Sequence, residues 1–366
     1  MKTYVVGGYI RDQILGIPPK DKDYVVVGSS PAEMQAKGFI AVGQDFPVFL
    51  HPQTKEEYAL ARTERKTGHG YKGFTFFATP DVTIEQDLYR RDFTINAIAQ
   101  EINSGGDLIG PLIDPYGGQK DLQDKVMRHV SDAFQEDPLR ILRLARIMAR
   151  LMEFQIAPST FSLVQKMVQD GELQFLVAER VWLEISRGLL ENKPSRMIQV
   201  LMDSFAAKYV LPNDFQNIDI LQKTQSAIDI GVKQHDLQVQ IAFLLAFIEL
   251  PQLEAWALQW KIPTEMRNFA KIFHQFLRVL EIKNRTAEQV FNFFNQTDAS
   301  RKAERLEKII HTAELLGIQV DFWKKMLKAY NSVDAGLIAK NLQSSDGALI
   351  QSTIATARLQ AIAACF

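Results

Sequence analysis

Short apolar runs separated by glycine-containing turns dominate the first 125 or so residues of the chain. The run Tyr4–Val6 leads into Gly7-Gly8, a short segment follows and ends at Gly16, and a second apolar run occupies Tyr24–Val27. Apolar runs of this length, bounded by turn residues, predict buried strands, and the segment between them predicts a short helix. We therefore expect strands to alternate with short helices here.

The same alternation continues further along this part of the chain. Ser30-Pro31-Ala32-Glu33 is a capping box with proline at the first helical position, and it predicts a helix that Gly38 ends. Glu57–Arg62 and Phe74–Phe77 are predicted strands. Arg65–Gly73 is rich in glycine and basic residues and is predicted to be a loop.

Helical periodicity replaces this alternation from about Asp132 onward. Five apolar residues recur on one predicted helical face: Ile141, Leu142, Leu144, Ala145 and Met148. The mostly apolar segment Val239–Leu250 predicts a buried helix. A domain boundary is expected near 210–218, around Pro212.

The composition excludes some classes of protein. The 366 residues carry a formal net charge of −1 and include a single cysteine, Cys365, so no intrachain disulfide can form. No run of about 18 apolar residues occurs, which predicts no membrane span. An apolar run that begins within three residues of Met1 leaves no room for a signal peptide. We therefore expect a cytoplasmic protein.

A balanced net charge does not exclude nucleic acid, because a phosphate-binding surface needs only a local basic patch. Four arginines recur at helical spacing and are candidates for such a patch: Arg140, Arg143, Arg146 and Arg150. The alternative is a solvated helix face, and the sequence leaves both open.

Two carboxylates, Asp21 and Asp23, open the second predicted strand. Alternate residues of a strand point to the same face, so these side chains project together. Such a pair suits a hard divalent cation, although an Asp-x-Asp on an exposed strand is also common as a solvated face. Gly7-Gly8 allows backbone amides to approach a phosphate, and basic Arg11 follows. Together these residues favour nucleotidyl transfer from a triphosphate.

Five sequence blocks cover about residues 1–190. They are Gly7-Gly8-x-x-Arg11-Asp12 with Asp21-x-Asp23, Arg90–Ala97 (RRDFTINA), Asp114–Leu122 (DPYGGQKDL), Glu136–Arg143 (EDPLRILR) and Glu179–Glu184 (ERVWLE). In these blocks and their order the chain resembles the class II tRNA nucleotidyltransferases, the CCA-adding enzymes of the polymerase-beta-like superfamily, and the related bacterial poly(A) polymerases. The remaining half carries no motif of this kind.

The resemblance implies a fold and a domain order. We expect an α+β architecture in which a polymerase-beta-like nucleotidyltransferase head with a mixed sheet (1–130) precedes an all-helical neck (131–212) and an all-helical body and tail (213–366). The neck would carry nucleotide-selecting and RNA-binding elements, and the body and tail would contact tRNA. No obligatory protein partner and no membrane are expected.

The resemblance also implies an activity, the addition of C, C and A to tRNA 3′ ends from CTP and ATP by two-metal nucleotidyl transfer with release of pyrophosphate. Poly(A) synthesis and partial addition (CC only or A only) remain alternatives within the same chemistry. Poly(A) synthesis is favoured less, because the sequence has no long basic C-terminal tail. A non-catalytic RNA-binding protein on the same fold is the alternative of another class.

The resemblance assigns the metal and triphosphate sites residue by residue. Asp21 and Asp23 would be the catalytic ligands of Mg²⁺, and Glu57 is a candidate third carboxylate from a neighbouring strand. Gly8 and Arg11 would contact the triphosphate.

The later blocks supply the remaining nucleotide contacts. Arg91 would bind phosphate and Asp92 the ribose hydroxyls, and Arg143 resembles a further nucleotide contact. Asp137 and Arg140 would read the incoming base as a protein template, since a carboxylate beside a guanidinium can match cytosine or adenine. Their i, i+3 spacing predicts that they share one helix face.

Many members of the family carry a phosphohydrolase domain marked by paired histidines and a His-Asp dipeptide. This chain contains His235-Asp236, but only His274 and His311 follow, and the nearest earlier histidine is His129. The ligand set is incomplete, so we expect the form of the family that lacks this domain. His235-Asp236 is predicted to be a helix start at the surface.

Overall fold

The computed structural model describes residues 1–19, 22–42, 48–66 and 74–366. The strands are β1 (Lys2–Val6), β2 (Asp23–Val27), β3 (Ile40–Val42), β4 (Val48–Leu50), β5 (Glu57–Leu60), β6 (Thr63–Lys66), β7 (Phe74–Phe77), β8 (Ala99–Ile102), β9 (Leu108–Ile113), β10 (Val126–Met127) and β11 (Gln155–Ile156). The helices up to residue 210 are α1 (Gly8–Ile14), α2 (Pro31–Ala36), α3 (Ile84–Tyr89), α4 (Gly118–Gln123), α5 (Leu139–Arg150), α6 (Pro158–Gln169), α7 (Ala178–Leu189), α8 (Pro194–Asp203) and α9 (Ala207–Val210). The later helices are α10 (Ile218–Gly231), α11 (Leu237–Leu244), α12 (Leu250–Gln259), α13 (Thr264–Leu280), α14 (Ala287–Gln296), α15 (Ala303–Leu315), α16 (Asp321–Asn331), α17 (Ala335–Leu342) and α18 (Gly347–Ala363).

Seven of these strands form one mixed sheet in the order β3-β4-β5-β2-β1-β8-β9. Strand β1 is antiparallel to β2 and β8, whereas β2 runs parallel to β5. Val25 of β2 packs on one face of the sheet with Tyr4 and Val6, and Val26 packs on the other face with Met34. A valine run suits a central strand that is covered on both faces.

Most local predictions in this part are confirmed. Ser30 and Glu33 close the capping box of α2, and Phe74–Phe77 is β7. The predicted strand Glu57–Arg62 ends at Leu60. The predicted loop Arg65–Gly73 is wrong at its start, because its first two residues belong to β6, which pairs with β7; residues 67–73 lie outside the described residues.

After residue 130 the chain is helical apart from β11. The apolar residues predicted for α5 are buried, as their spacing indicated. Val239–Leu250 is not one helix, because α11 ends at Leu244 and α12 begins at Leu250. Pro251 has no N–H for the carbonyl four residues earlier, so it is accommodated in the first turn of a new helix.

The chain divides into two compact units. The first comprises Met1–Gly188 and Arg196–Val210, and the second comprises Leu189–Ser195 and Leu211–Phe366. The finer division into head, neck and body stays a prediction. In the described part of the chain, no helix has the length and apolar character needed to cross a membrane.

Candidate active site

The turn between β1 and α1 depends on Gly7, whose φ of +74° is rarely adopted by residues with side chains. A Cβ on Gly7 would lie 3.2 Å from Nη1 of Arg91 and 4.0 Å from Oδ2 of Asp23. The missing side chain therefore lets a guanidinium and a carboxylate converge on this turn. At the predicted residue Gly8, a Cβ would lie 3.4 Å from Nη2 of Arg11.

Asp23 and Glu57 lie side by side at the start of two parallel strands. Tyr24 is the register partner of Tyr58, and their rings stack with centroids 4.3 Å apart. One residue earlier on each strand, Asp23 and Glu57 are exposed and face the opposite side of the sheet from the tyrosines. The described residues contain no group of three metal-ligating side chains, and Asp21 lies outside them.

Arg91 is oriented by a buried carboxylate on α3. Asp87 accepts hydrogen bonds from Nη2 of Arg91 at 3.2 Å and from Nη2 of Arg90 at 2.6 Å. Burial alone would raise the pKa of Asp87, but the charges of Arg90 and Arg91 outweigh it and hold the pKa below its ordinary value. Nε of Arg91 is buried and has no hydrogen-bond partner among the described residues. A fixed guanidinium whose Nη1 lies next to Gly7 can bind a phosphate oxygen at this turn.

Asp92 is buried, and its carboxylate accepts three hydrogen bonds and makes a further ion-pair contact with Arg143. Oδ1 accepts from the backbone N–H of Phe93 at 2.9 Å and from Nδ2 of Asn96 at 3.1 Å. Oδ2 accepts from Nε of Arg143 at 2.8 Å and contacts Nη2 of the same side chain at 2.7 Å. Burial would raise the pKa of Asp92, but the charges of Arg143 and Arg140 hold it well below its ordinary value. Two predicted nucleotide ligands, Asp92 and Arg143, are thus bonded to each other.

Arg11 is buried and its guanidinium is held on two sides. Nε and Nη2 contact Oδ1 of Asp12 at 2.9 and 2.8 Å, and Nη1 donates to Oδ1 of Asn96 at 2.8 Å. Burial lowers the pKa of Arg11, and the neighbouring charge of Asp12 acts in the opposite direction. Because Asn96 also donates to Asp92, its amide joins the predicted triphosphate and ribose ligands.

Asp137 lies just outside α5. Its backbone is extended, with φ −121° and ψ 105°, because Pro138 disfavours the helical conformation in the residue before it. Its Oδ1 accepts from the N–H of Leu139 at 3.0 Å, and its Oδ2 accepts from Nη2 of Arg180 at 2.7 Å. The prediction that Asp137 and Arg140 share a helix face is therefore wrong, since only Arg140 is helical.

Arg140 is 8% exposed and donates to two backbone carbonyls. Nη1 donates to the carbonyl of Ala133 at 2.7 Å, and Nη2 donates to the carbonyl of Arg90 at 2.6 Å. These bonds fix the plane of the Arg140 guanidinium. One of the two acceptors, Arg90, directly precedes Arg91 and Asp92 in the sequence.

The four arginines of α5, called the α5 arginines below, form neither a basic patch nor a solvated face. Arg140 and Arg143 make the contacts already described, Nε of Arg146 donates to Glu184 at 2.6 Å, and Nη2 of Arg150 donates to Asp12 at 2.6 Å. Apart from Ala133, their partners lie far away in the sequence, so periodicity alone could not reveal them. The available signal was that Asp12 and Glu184 themselves lie inside two of the five sequence blocks.

The His-Asp dipeptide begins a helix, as predicted. Oδ1 of Asp236 accepts from the N–H groups of Gln238 and Val239 at the start of α11. Oδ2 of Asp236 pairs with Nζ of Lys308 at 2.6 Å. Lys308 is therefore paired with the carboxylate that would bind a metal ion in a phosphohydrolase.

Two family models match the chain. "Poly A polymerase head domain" matches residues 3–128, and "Probable RNA and SrmB- binding site of polymerase A" matches residues 153–214.

Curated relatives match over nearly the full length. The "Multifunctional CCA protein" of Paraburkholderia phymatum is 43% identical over 410 residues, covering 99% of this chain and 97% of the relative. The protein of the same name from Burkholderia multivorans is 44% identical, covering 99% of this chain and 98% of the relative.

Solved structures share the fold. The Bacillus stearothermophilus CCA-adding enzyme in complex with CTP superposes with a TM-score of 0.70 at 21% identity, over 99% of this chain and 88% of that chain. The Thermotoga maritima CCA-adding enzyme complexed with tRNA gives a TM-score of 0.67 at 21% identity, over 99% and 87%.

Proposed function

Because this chain belongs to the class II CCA-adding family of tRNA nucleotidyltransferases, we propose that it adds C, C and A to tRNA 3′ ends from CTP and ATP and releases pyrophosphate. The family assignment follows from 43% identity over 99% of the chain. The chain is accordingly a template-independent nucleotidyltransferase. The structural observation that supports this site is the convergence of Arg91 and Asp23 on the Gly7 turn.

Enzymes of this family depend on a metal, and we propose Mg²⁺, held by Asp21 and Asp23 with Glu57 as a third carboxylate. Exposed carboxylates of Asp23 and Glu57 on one face, at the start of adjacent parallel strands, support this assignment. Carboxylate oxygens are the ligands that Mg²⁺ prefers. When bound, such a metal lowers the pKa of an attacking hydroxyl and stabilises charge on the transferred phosphate.

Gly8, Arg11 and Arg91 would bind the triphosphate. Nη1 of Arg91 lies at the Gly7 turn and Nη2 of Arg11 lies at Gly8, and both guanidiniums are held in one orientation by neighbouring carboxylates. This placement supports a role for both side chains toward phosphate oxygens at the turn. Binding of this kind aligns the α-phosphate for attack by the RNA 3′-hydroxyl, which is the main source of rate in phosphoryl transfer.

Asp92 would accept the ribose hydroxyls, and Arg143 would contact the nucleotide. A carboxylate has about four acceptor positions, and Asp92 already accepts three hydrogen bonds and contacts Nη2 of Arg143 at 2.7 Å. A ribose hydroxyl would therefore replace one of these contacts. The side chain of Arg143 is 37% exposed, whereas Asn96 is buried and held by Arg11, so Arg143 is the partner that can leave. The released guanidinium is then available to the nucleotide.

Asp137 and Arg140 would read the base. Arg180 orients the Asp137 carboxylate, and two carbonyls orient the Arg140 guanidinium. An oriented acceptor beside an oriented donor fork can pair with cytosine or adenine, whereas uracil and guanine would leave polar groups unpaired.

The test is incubation of the protein with Mg²⁺ and tRNA that lacks its last three nucleotides, with CTP and ATP separately and together. CCA addition predicts two C residues with CTP alone and complete ends with both. Addition of C alone or A alone would indicate a partial enzyme, and long A tracts would indicate a poly(A) polymerase. No addition, with tRNA binding retained, would indicate an RNA-binding protein.

We further propose that this reaction takes place in the cytoplasm without an obligatory protein partner. A chain with one cysteine, Cys365, needs no oxidising compartment to fold.

A further inference from the structure

Asp12 stands between two guanidiniums. Asp12 is 3% exposed. Its Oδ1 contacts Nε and Nη2 of Arg11, and its Oδ2 accepts a hydrogen bond from Nη2 of Arg150. The two cations are therefore held by one buried carboxylate, and each oxygen of that carboxylate serves a different arginine.

The orientation of Arg11 depends on this arrangement. All three nitrogens of its guanidinium have partners: Nε and Nη2 contact Asp12, and Nη1 donates to Asn96. Nη2 of Arg11 also lies 3.4 Å from the position of a Cβ on Gly8. A rotation of the Asp12 carboxylate would therefore turn the Arg11 guanidinium at the Gly7-Gly8 turn.

Arg150 is the last residue of α5, ten residues after Arg140. At about 1.5 Å per helical residue, the two arginines are attached roughly 15 Å apart along one helix. Arg140 donates to the carbonyl of Arg90, the residue that follows α3, and Arg150 donates to Asp12 of α1. Helix α5 thus carries Arg140, the proposed base-reading residue, near one end and Arg150, which contacts Arg11 through Asp12, at the other end.

We propose that Arg150 is a positioning residue for nucleotide addition, acting through Asp12 on Arg11. The inference rests on the proposed triphosphate role of Arg11. In this proposal Arg150 contributes the orientation of Arg11 and no contact to the nucleotide. Removal of its guanidinium takes a charged donor from a buried oxygen of Asp12, so the carboxylate turns and Arg11 moves with it. Displacement of a substrate-positioning group by about 1 Å is enough to cost up to a hundredfold in rate.

The experiment is a double-mutant cycle between Arg150→Met and Arg11→Met, with Lys2→Met as the control. Lys2 also forms an ion pair with a carboxylate, that of Glu101, but its side chain is 61% exposed and it lies in the first unit, away from the residues expected to contact tRNA. The values measured are kcat/KM for CTP and ATP, KM for truncated tRNA, and the thermal unfolding midpoint.

Arg150→Met is expected to lower kcat/KM for CTP and ATP by the same factor, about tenfold, with KM for tRNA unchanged. In the Arg11→Met background, the same change is expected to alter kcat/KM less than about twofold, because its effect passes through Arg11. Arg150→Lys keeps the positive charge and is expected to recover part of the activity. If Arg150→Met does not fold, the double-mutant cycle is measured with Arg150→Lys instead.

Loss that persists undiminished in the Arg11→Met background would show that Arg150 only stiffens the fold, and it would overturn the inference. Wild-type activity in Arg150→Met, with activity lost in Arg11→Met, would overturn the inference and leave the triphosphate role of Arg11 standing. Wild-type activity in Arg11→Met would overturn that role and the inference together.

Discussion

Replacement of Arg140 by lysine tests the base-reading proposal most sharply. A lysine keeps the positive charge, but its ammonium cannot bridge the carbonyls of Ala133 and Arg90 and still present two parallel donors to a base. The substitution therefore removes the geometry of the site while it retains the charge.

The structure sets the size of the expected effects. Each of the two bonds to a backbone carbonyl is a charge-assisted hydrogen bond, worth about 1.5–3 kcal/mol to the free energy of unfolding. If the ammonium keeps one of them, Arg140→Lys should destabilise the protein by about 1.5–3 kcal/mol. The loss of a paired base edge should raise the barrier for CMP and AMP addition by about 1–3 kcal/mol, or about 5- to 150-fold.

The assay is kcat/KM for CTP, ATP, UTP and GTP on matched truncated tRNAs. Arg140→Lys should depress CMP and AMP addition much more than UMP and GMP addition, because the latter never formed those bonds. Arg11→Met is the contrast, since a lost triphosphate contact should weaken all four nucleotides about equally. An equal loss for all four nucleotides in Arg140→Lys would refute the protein-template reading of this residue.

Three further outcomes are expected. Asp23→Asn should reduce nucleotide addition by about a hundredfold or more with tRNA binding retained in a gel-shift assay, and more than about a tenth of wild-type turnover would contradict its metal role. The wild-type protein should not hydrolyse 2′,3′-cyclic phosphates or phosphomonoesters, because Lys308 pairs with Asp236; nickel-dependent hydrolysis that disappears in His235→Ala would be the contrary result. The lowered pKa of Asp92 means that its stabilising contribution is present above the ordinary aspartate pKa of about 4 and is lost as pH falls below it. The unfolding midpoint of Asp92→Asn should therefore depend less on pH between about 4 and 2 than that of the wild type, and parallel pH profiles would disagree with this.

Local chemistry was predictable wherever it depends on neighbouring residues. The capping box of α2 and the start of α11 at Asp236 follow from side chains within three residues of the backbone groups that they satisfy. The two-sided burial of β2 follows from its run of valines. The position of Asp137 outside α5 could also have been predicted, since Pro138 follows it directly.

The partners of charged residues were not predictable, because they are set by the tertiary fold. Helical spacing of the α5 arginines showed only that they share an element, whereas their acceptors lie on α1, on α7, at Arg90 and Asp92 after α3, and at Ala133. The neighbour of Asp23 on the sheet is likewise fixed by the parallel pairing of β2 with β5. The sequence also does not show which residue of the Gly7-Gly8 pair adopts positive φ, because only the backbone conformation does.

The division of the chain into units bears on its synthesis. The polypeptide passes from the first unit to the second after Gly188, returns at Arg196, and leaves again after Val210. A ribosome that has released only the first 188 residues has therefore not yet supplied Arg196–Val210, the last segment of the first unit. Because domains generally fold as units during synthesis, the first unit should acquire full protease resistance only when residue 210 has left the exit tunnel. Stop codons introduced before and after this segment should give protease-sensitive and protease-resistant fragments, respectively.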